Sequence, residues 1–166
     1  MPHDVIDAIL SDHRKFEDLF RKLRDRTQDR ASWLRELSDL LVAHAEAEEA
    51  EVYPALRRFR KVDDEEVDHG AEEHAEGHQA LLALLETDPE SDEWDEKLEQ
   101  LVETVNHHLD EEERTILNDA REAVSDERRA ELGEAFLAAR RDRLAEGRGS
   151  VENVRALVEG TKDRVD

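Results

Sequence analysis

The chain of 166 residues contains no cysteine. That excludes a disulfide framework, a thiolate metal site and a cysteine nucleophile, and leaves the redox compartment unconstrained. Glycine and proline are scarce, at six and three, and aromatics make up 4%. With β-branched and aromatic runs nearly missing as well, a sheet has almost nothing to be built from. Positive charge is also short: 24 Lys and Arg stand against 46 Asp and Glu, for a net charge of −22. Such a surface repels phosphate backbones and anionic lipid, so neither nucleic acid nor a membrane is expected as a partner. There is no long apolar run and no basic leader, and the expectation is a cytoplasmic protein. The charged fraction of 42% is high enough to suggest disorder, but the placement of the apolar residues opposes that reading.

The apolar residues recur at helical spacing throughout, so the fold class is all-α. A first helix is expected over residues 4–26, with Ile6, Ile9, Phe16, Phe20 and Leu23 on one face. A second starts near Ser32 and carries Leu34, Leu37 and Leu41 towards Pro54, where the missing N–H should kink it. A third spans residues 64–86 through Val67, Ala71, Leu81 and Leu85. A fourth covers residues 95–124 through Leu98, Leu101, Val105 and Ile116. Residues 1–124 would thus form a bundle and residues 125–148 an appended helix that opens at Ser125 and closes at Gly147. Residues 149–166 would form a short helix or a flexible tail.

Extending each stripe through its gaps brings up the same kind of residue every time. His13 falls on the first, His44 and Glu48 on the second, His74 and His78 on the third, and His108 and Glu112 on the fourth. Burying a carboxylate costs several kcal/mol unless it is paired. Lys and Arg, such as Arg14, Lys15, Arg57 and Lys97, lie off these stripes and cannot supply the partner. A metal can, because neutral imidazoles and ionised carboxylates are the donors that transition metals recruit. Residues four apart share a helix face, so His44 with Glu48, His74 with His78, and His108 with Glu112 can each act as a pair. His74 and His78 lie nearer to the connection after the third helix than His108 and Glu112 do. That connection is therefore expected to stay non-helical to about Asp95 or Glu96.

The motifs His44-Ala45-Glu46-Ala47-Glu48-Glu49 with Tyr53-Pro54 downstream, His74-Ala75-Glu76-Gly77-His78, and His108-Leu109-Asp110-Glu111-Glu112-Glu113, together with His13, resemble the hemerythrin-like (HHE cation-binding) family. The resemblance implies an up-down-up-down four-helix bundle around a non-haem diiron site. His74, His78 and His108 would hold one iron and His13 and His44 the other. Glu48 and Glu112 would bridge them beside an oxo or hydroxo group. Oxygen carriers of the family usually place an Asp five positions after the last histidine, whereas Glu112 follows His108 by four. His107 would restore that spacing but lies off the stripe.

His3 and His69 are expected as solvated surface residues, His107 at the surface or behind a ligand, Glu46, Glu49, Glu111 and Glu113 on a solvated acidic face that could guide cations inward, and Tyr53 and Trp94 in packing or capping roles. Ile9, Phe16, Leu41 and Leu81 would wall the site off from water. The resulting expectation is a protein that binds dioxygen, peroxide or nitric oxide as sensor, scavenger or oxidoreductase, as a monomer or weak homodimer. The alternative is an iron or zinc store without redox turnover.

Overall fold

The computed structural model describes residues 4–165 of the protein, with side chains described from 4 to 160. Helices α1 (Val5–Arg24), α2 (Arg30–Ala47), α4 (Asp64–Leu85) and α5 (Asp92–Arg114) form an up-down-up-down bundle. A four-residue helix α3 (Tyr53–Leu56) follows α2 through a π-helical turn over Glu48–Val52. Beyond the bundle come α6 (Ile116–Ala123), α7 (Asp126–Glu146) and α8 (Val151–Val165). No strand occurs among the described residues, and no helix there is long and apolar enough to cross a membrane.

Local chemistry fixes several helix ends. Asp4, Asp29, Asp63 and Ser125 each accept a backbone N–H of the first turn through the side chain, which satisfies donors that have no partner inside the helix. α2 therefore starts at Arg30, two residues before the Ser32 expected to cap it, because Asp29 also takes the Ser32 hydroxyl at 2.7 Å. Gly147 ends α7 in the left-handed conformation, at φ 62°, which a side chain would disfavour.

Two further boundaries differ from the sequence expectation. The fourth helix is not continuous to Val124. It breaks at Thr115, whose hydroxyl bonds the Glu111 carbonyl at 2.7 Å and whose backbone leaves the helical region at φ −109° and ψ −82°. Its start also lies at Asp92, so a longer non-helical connection is not what brings the motifs level. The early turns of α5 pack instead beside the end of α1 and the start of α2, where Glu99 pairs with Arg24 and Asp95 with Arg26 and Arg30. The helix thus rises past the end of α4.

The second helix carries more than one buried stripe: Leu37 through Ala47 are buried apart from a partly exposed Asp39 and Glu46. The reason is α7, which packs across α1 and α2 and sends Phe136 into the core at 0% exposure. Removing a side chain of that size from water contributes roughly 1.5–3 kcal/mol. α8 packs on α4 and buries Val154 among Leu37, Leu84 and Trp94.

Candidate metal centre

Midway along the bundle, one layer of the core is polar. His13, His44, Glu48 and Glu112 are 0–2% exposed, and His74, His78 and His108 are 6–7% exposed. Donor atoms of Glu48, His74, His108 and Glu112 lie within 4.8 Å of one another, as do those of His13, His44 and Glu112. Glu112 belongs to both groups, with Oε1 at 3.1 Å from His13 Nε2 and Oε2 at 3.4 Å from His108 Nε2. Glu48 spans in the same way, its Oε1 lying 2.8 Å from His44 Nε2 and 3.2 Å from His74 Nε2. His78, one turn beyond His74, lies outside both groups, and its Nε2 is buried without a hydrogen-bond partner among the described residues.

The alignment of these atoms says what they fit. Nε2 of His13, His44 and His108 all approach carboxylate oxygens, yet none meets the geometry of a hydrogen bond, and Glu48 Oε2 and Glu112 Oε1 are likewise unpaired. Buried polar atoms left in this way cost free energy. Donors that converge on a shared point rather than on each other suit a cation, and imidazole with carboxylate is a donor set for iron or zinc.

A second layer of residues orients the rings. Nδ1 of His44 donates to Asp12 Oδ2 at 2.8 Å, Nδ1 of His13 to Glu113 at 3.1 Å, and Nδ1 of His108 to Glu73 at 3.1 Å. A carboxylate only accepts, so each Nδ1 must be the donor, which leaves Nε2 as the ring atom turned to the centre of the layer. Arg140 of α7 fixes Asp12 at 2.9 Å, and Arg14 grips Glu113 through contacts of 2.8 and 3.0 Å. Tyr53 donates its hydroxyl to Glu112, and its ring stacks on His74 with centroids 5.6 Å apart. Gly70 makes room for it, since a Cβ there would lie 2.9 Å from the Tyr53 hydroxyl.

The charges favour a cation strongly. Burial opposes protonation of His44, but Glu48 and Asp12 outweigh it and push the ring up to about 10. His108 is likewise pushed up to about 10, burial being outweighed by Glu112 and Glu73. Burial also works against Glu112, whose carboxyl His108 and His13 nevertheless hold well below the usual range. His78 is the opposite case: burial, and then His74, lower it to about 4, so it stays neutral.

Comparison with known families matches residues 4–120 to the hemerythrin HHE cation binding domain. The chain belongs to that family. A hemerythrin HHE cation binding domain-containing protein from Mycobacterium kansasii has a similar crystal structure, with a TM-score of 0.81 over 92% of this chain and 98% of that one. At 22% identity that likeness concerns the fold. A curated relative from Nostoc sp., named DNA nickase, is 29% identical over 139 residues. The match takes in 82% of this chain but 39% of the relative, so the chain spans well under half of that protein's length.

Within this HHE domain, several residues that shape the site were not expected there. The π-helical turn explains Tyr53: Pro54 offers no N–H, and the backbone widens so that Tyr53 N–H bonds the Glu48 carbonyl five residues back. Tyr53 thereby joins Glu48 at the site and has more than a packing role, whereas Trp94 packs at the far end under Arg30. The acidic face is not simply solvated. Glu113 holds His13, Glu46 pairs with Arg148 at 2.9 Å, Glu49 lies 3.4 Å from His74 Nδ1, and Glu111 faces His69 and His107. A guanidinium, that of Arg140, does back the layer, supplied by a helix outside the four stripes. Ile9, Phe16 and Leu81 are fully buried and Leu41 nearly so; Phe16 and Phe136 meet His44 edge-on at 5.3 and 5.4 Å. His107 is exposed, and His3 lies outside the described residues.

Proposed function

We propose that this chain is a non-haem diiron protein that binds a small oxidant, dioxygen, peroxide or nitric oxide. In this reading His13 and His44 would hold one iron and His74, His78 and His108 the other, with Glu48 and Glu112 offering a carboxylate to both. The observation that carries it is the doubling of the cluster: two ligand groups share Glu112, and Glu48 reaches an imidazole of each. The family supports cation binding, and the donor set suits iron. Bound iron would supply redox chemistry towards such an oxidant.

The protein's own residues do the rest. Asp12, Glu113 and Glu73 orient three imidazoles, and Tyr53 holds Glu112 by a phenol that burial, Glu112 and Glu48 keep protonated. Phe16, Leu41 and Val105 wall a cavity of about 20 Å³ beside His44, His74 and His78, room for one water-sized guest.

The test is spectroscopic. The chain loaded with ferrous iron and then exposed to air or peroxide should gain absorption in the near ultraviolet, while the zinc-loaded chain stays colourless. An iron-loaded centre that peroxide, air and nitric oxide all leave unchanged would favour a metal store instead.

A further inference from the structure

Outside the buried layer, a second group of ligating side chains gathers where α4 faces α5. Donor atoms of His69, Glu73 and Glu111 lie within 4.8 Å of one another. His69 Nε2 is 3.1 Å from Glu111 and 3.7 Å from Glu73, while His107 Nε2 is 3.2 Å from Glu111 and 3.4 Å from Glu73. Two imidazoles thus flank two carboxylates, and carboxylates this close repel each other unless positive charge stands among them. The donor set is again the one that first-row divalent cations recruit. Unlike the inner group, it is reachable: the rings of His69 and His107 are 52% and 61% exposed.

A separate observation links the two groups. A cavity of about 330 Å³ has His69, Glu73 and Glu111 in its wall together with His108 and Glu112 of the buried layer. Glu73 sits at the junction, 5% exposed, with Oε2 towards the outer imidazoles and Oε1 on His108 Nδ1 at 3.1 Å. The net charge of −22 draws cations to the surface in general, and the cavity gives them one way in.

We propose that His69, Glu73, His107 and Glu111 form an outer site for a divalent transition-metal ion, from which ions pass along the cavity to the buried centre. The outer site stands by itself, while the delivery role rests on the function proposed above. Ordinary surface ion pairs would give the same distances and bind no cation, and this is what the experiment separates.

The full chain and its His69→Ala/His107→Ala variant, compared first by circular dichroism and melting temperature, are each titrated with Zn²⁺ in a calorimeter. The native chain should bind one Zn²⁺ more than the variant. Ferrous iron, added below stoichiometry to the chelator-stripped chains in air, should reach the buried centre about tenfold more slowly in the variant, followed by near-ultraviolet absorption. Equal Zn²⁺ counts would overturn the outer site. Unequal counts with equal loading rates would overturn delivery alone. If neither chain shows a buried metal, the function proposed above fails, and the Zn²⁺ lost with His69 and His107 still decides the outer site.

Discussion

At one end of the bundle α1, α2, α4 and α5 meet through Leu23, Leu37, Leu84, Trp94, Leu98 and Leu101, none more than 2% exposed. Further along, the same four helices meet through five imidazoles and two carboxylates, none more than 7% exposed. The apolar end asks for volume and shape, since dispersion and hydrophobic contacts have no direction. The polar layer asks for direction at every atom, and it draws on residues outside the four stripes to get it: Asp12, Glu73, Glu113, Tyr53 and Arg140. Substitutions at the two ends should therefore fail differently.

The largest effect is expected in the polar layer. Glu48→Ala leaves His44 and His74 facing each other without the carboxylate between them. It should lose one or both metals and about 3–5 kcal/mol of stability, read by elemental analysis and urea unfolding. Full metal retention would remove Glu48 from its bridging place.

At the apolar end Leu98→Ala should cost about 2–5 kcal/mol through the cavity it opens, with metal content unchanged in the folded chain. If metal were lost in proportion to stability, the two regions would be one cooperative unit with respect to binding.

The pH dependence of the metal-free chain sharpens the contrast. The unfolded chain protonates His78 near 6.5, whereas the fold refuses that proton until about 4. The stability tied to His78 is therefore full above 6.5 and is lost as pH falls towards 4, by at most about 3 kcal/mol. His78→Leu should flatten that part of the profile in urea titrations. An unchanged slope would show that His78 is solvated.

The smallest effect is expected one layer out. Asp12→Asn keeps the shape but removes the charge that fixes His44 and answers Arg140. Metal affinity should drop about 10–100-fold, with a smaller loss of stability than Glu48→Ala shows.

The same contrast explains what the sequence made legible. Helix positions and the seven ionisable residues follow from period alone, because a stripe that faces a core shows every interruption. The backing residues do not follow, since Asp12 and Glu113 sit one position beside His13 and Glu112, where a solvated acid reads the same. Arg140 and Phe136 come from a helix whose docking onto α1 and α2 no stripe announced. Tyr53 reaches the site because Pro54 shifts the frame by one residue in a π-helical turn, and its Tyr-Pro pair was the signal available. His69 and His107 lack any period with the core, and they come together through the pairing of α4 with α5.

The central claim is that the buried imidazole and carboxylate layer exists to hold metal. Elemental analysis of the folded chain, purified from iron-replete cells, tests it most directly. The account predicts two irons per chain, lost together with the near-ultraviolet absorption on chelation and regained with ferrous salt. A correctly folded, colourless chain that takes up no added ferrous iron would contradict it.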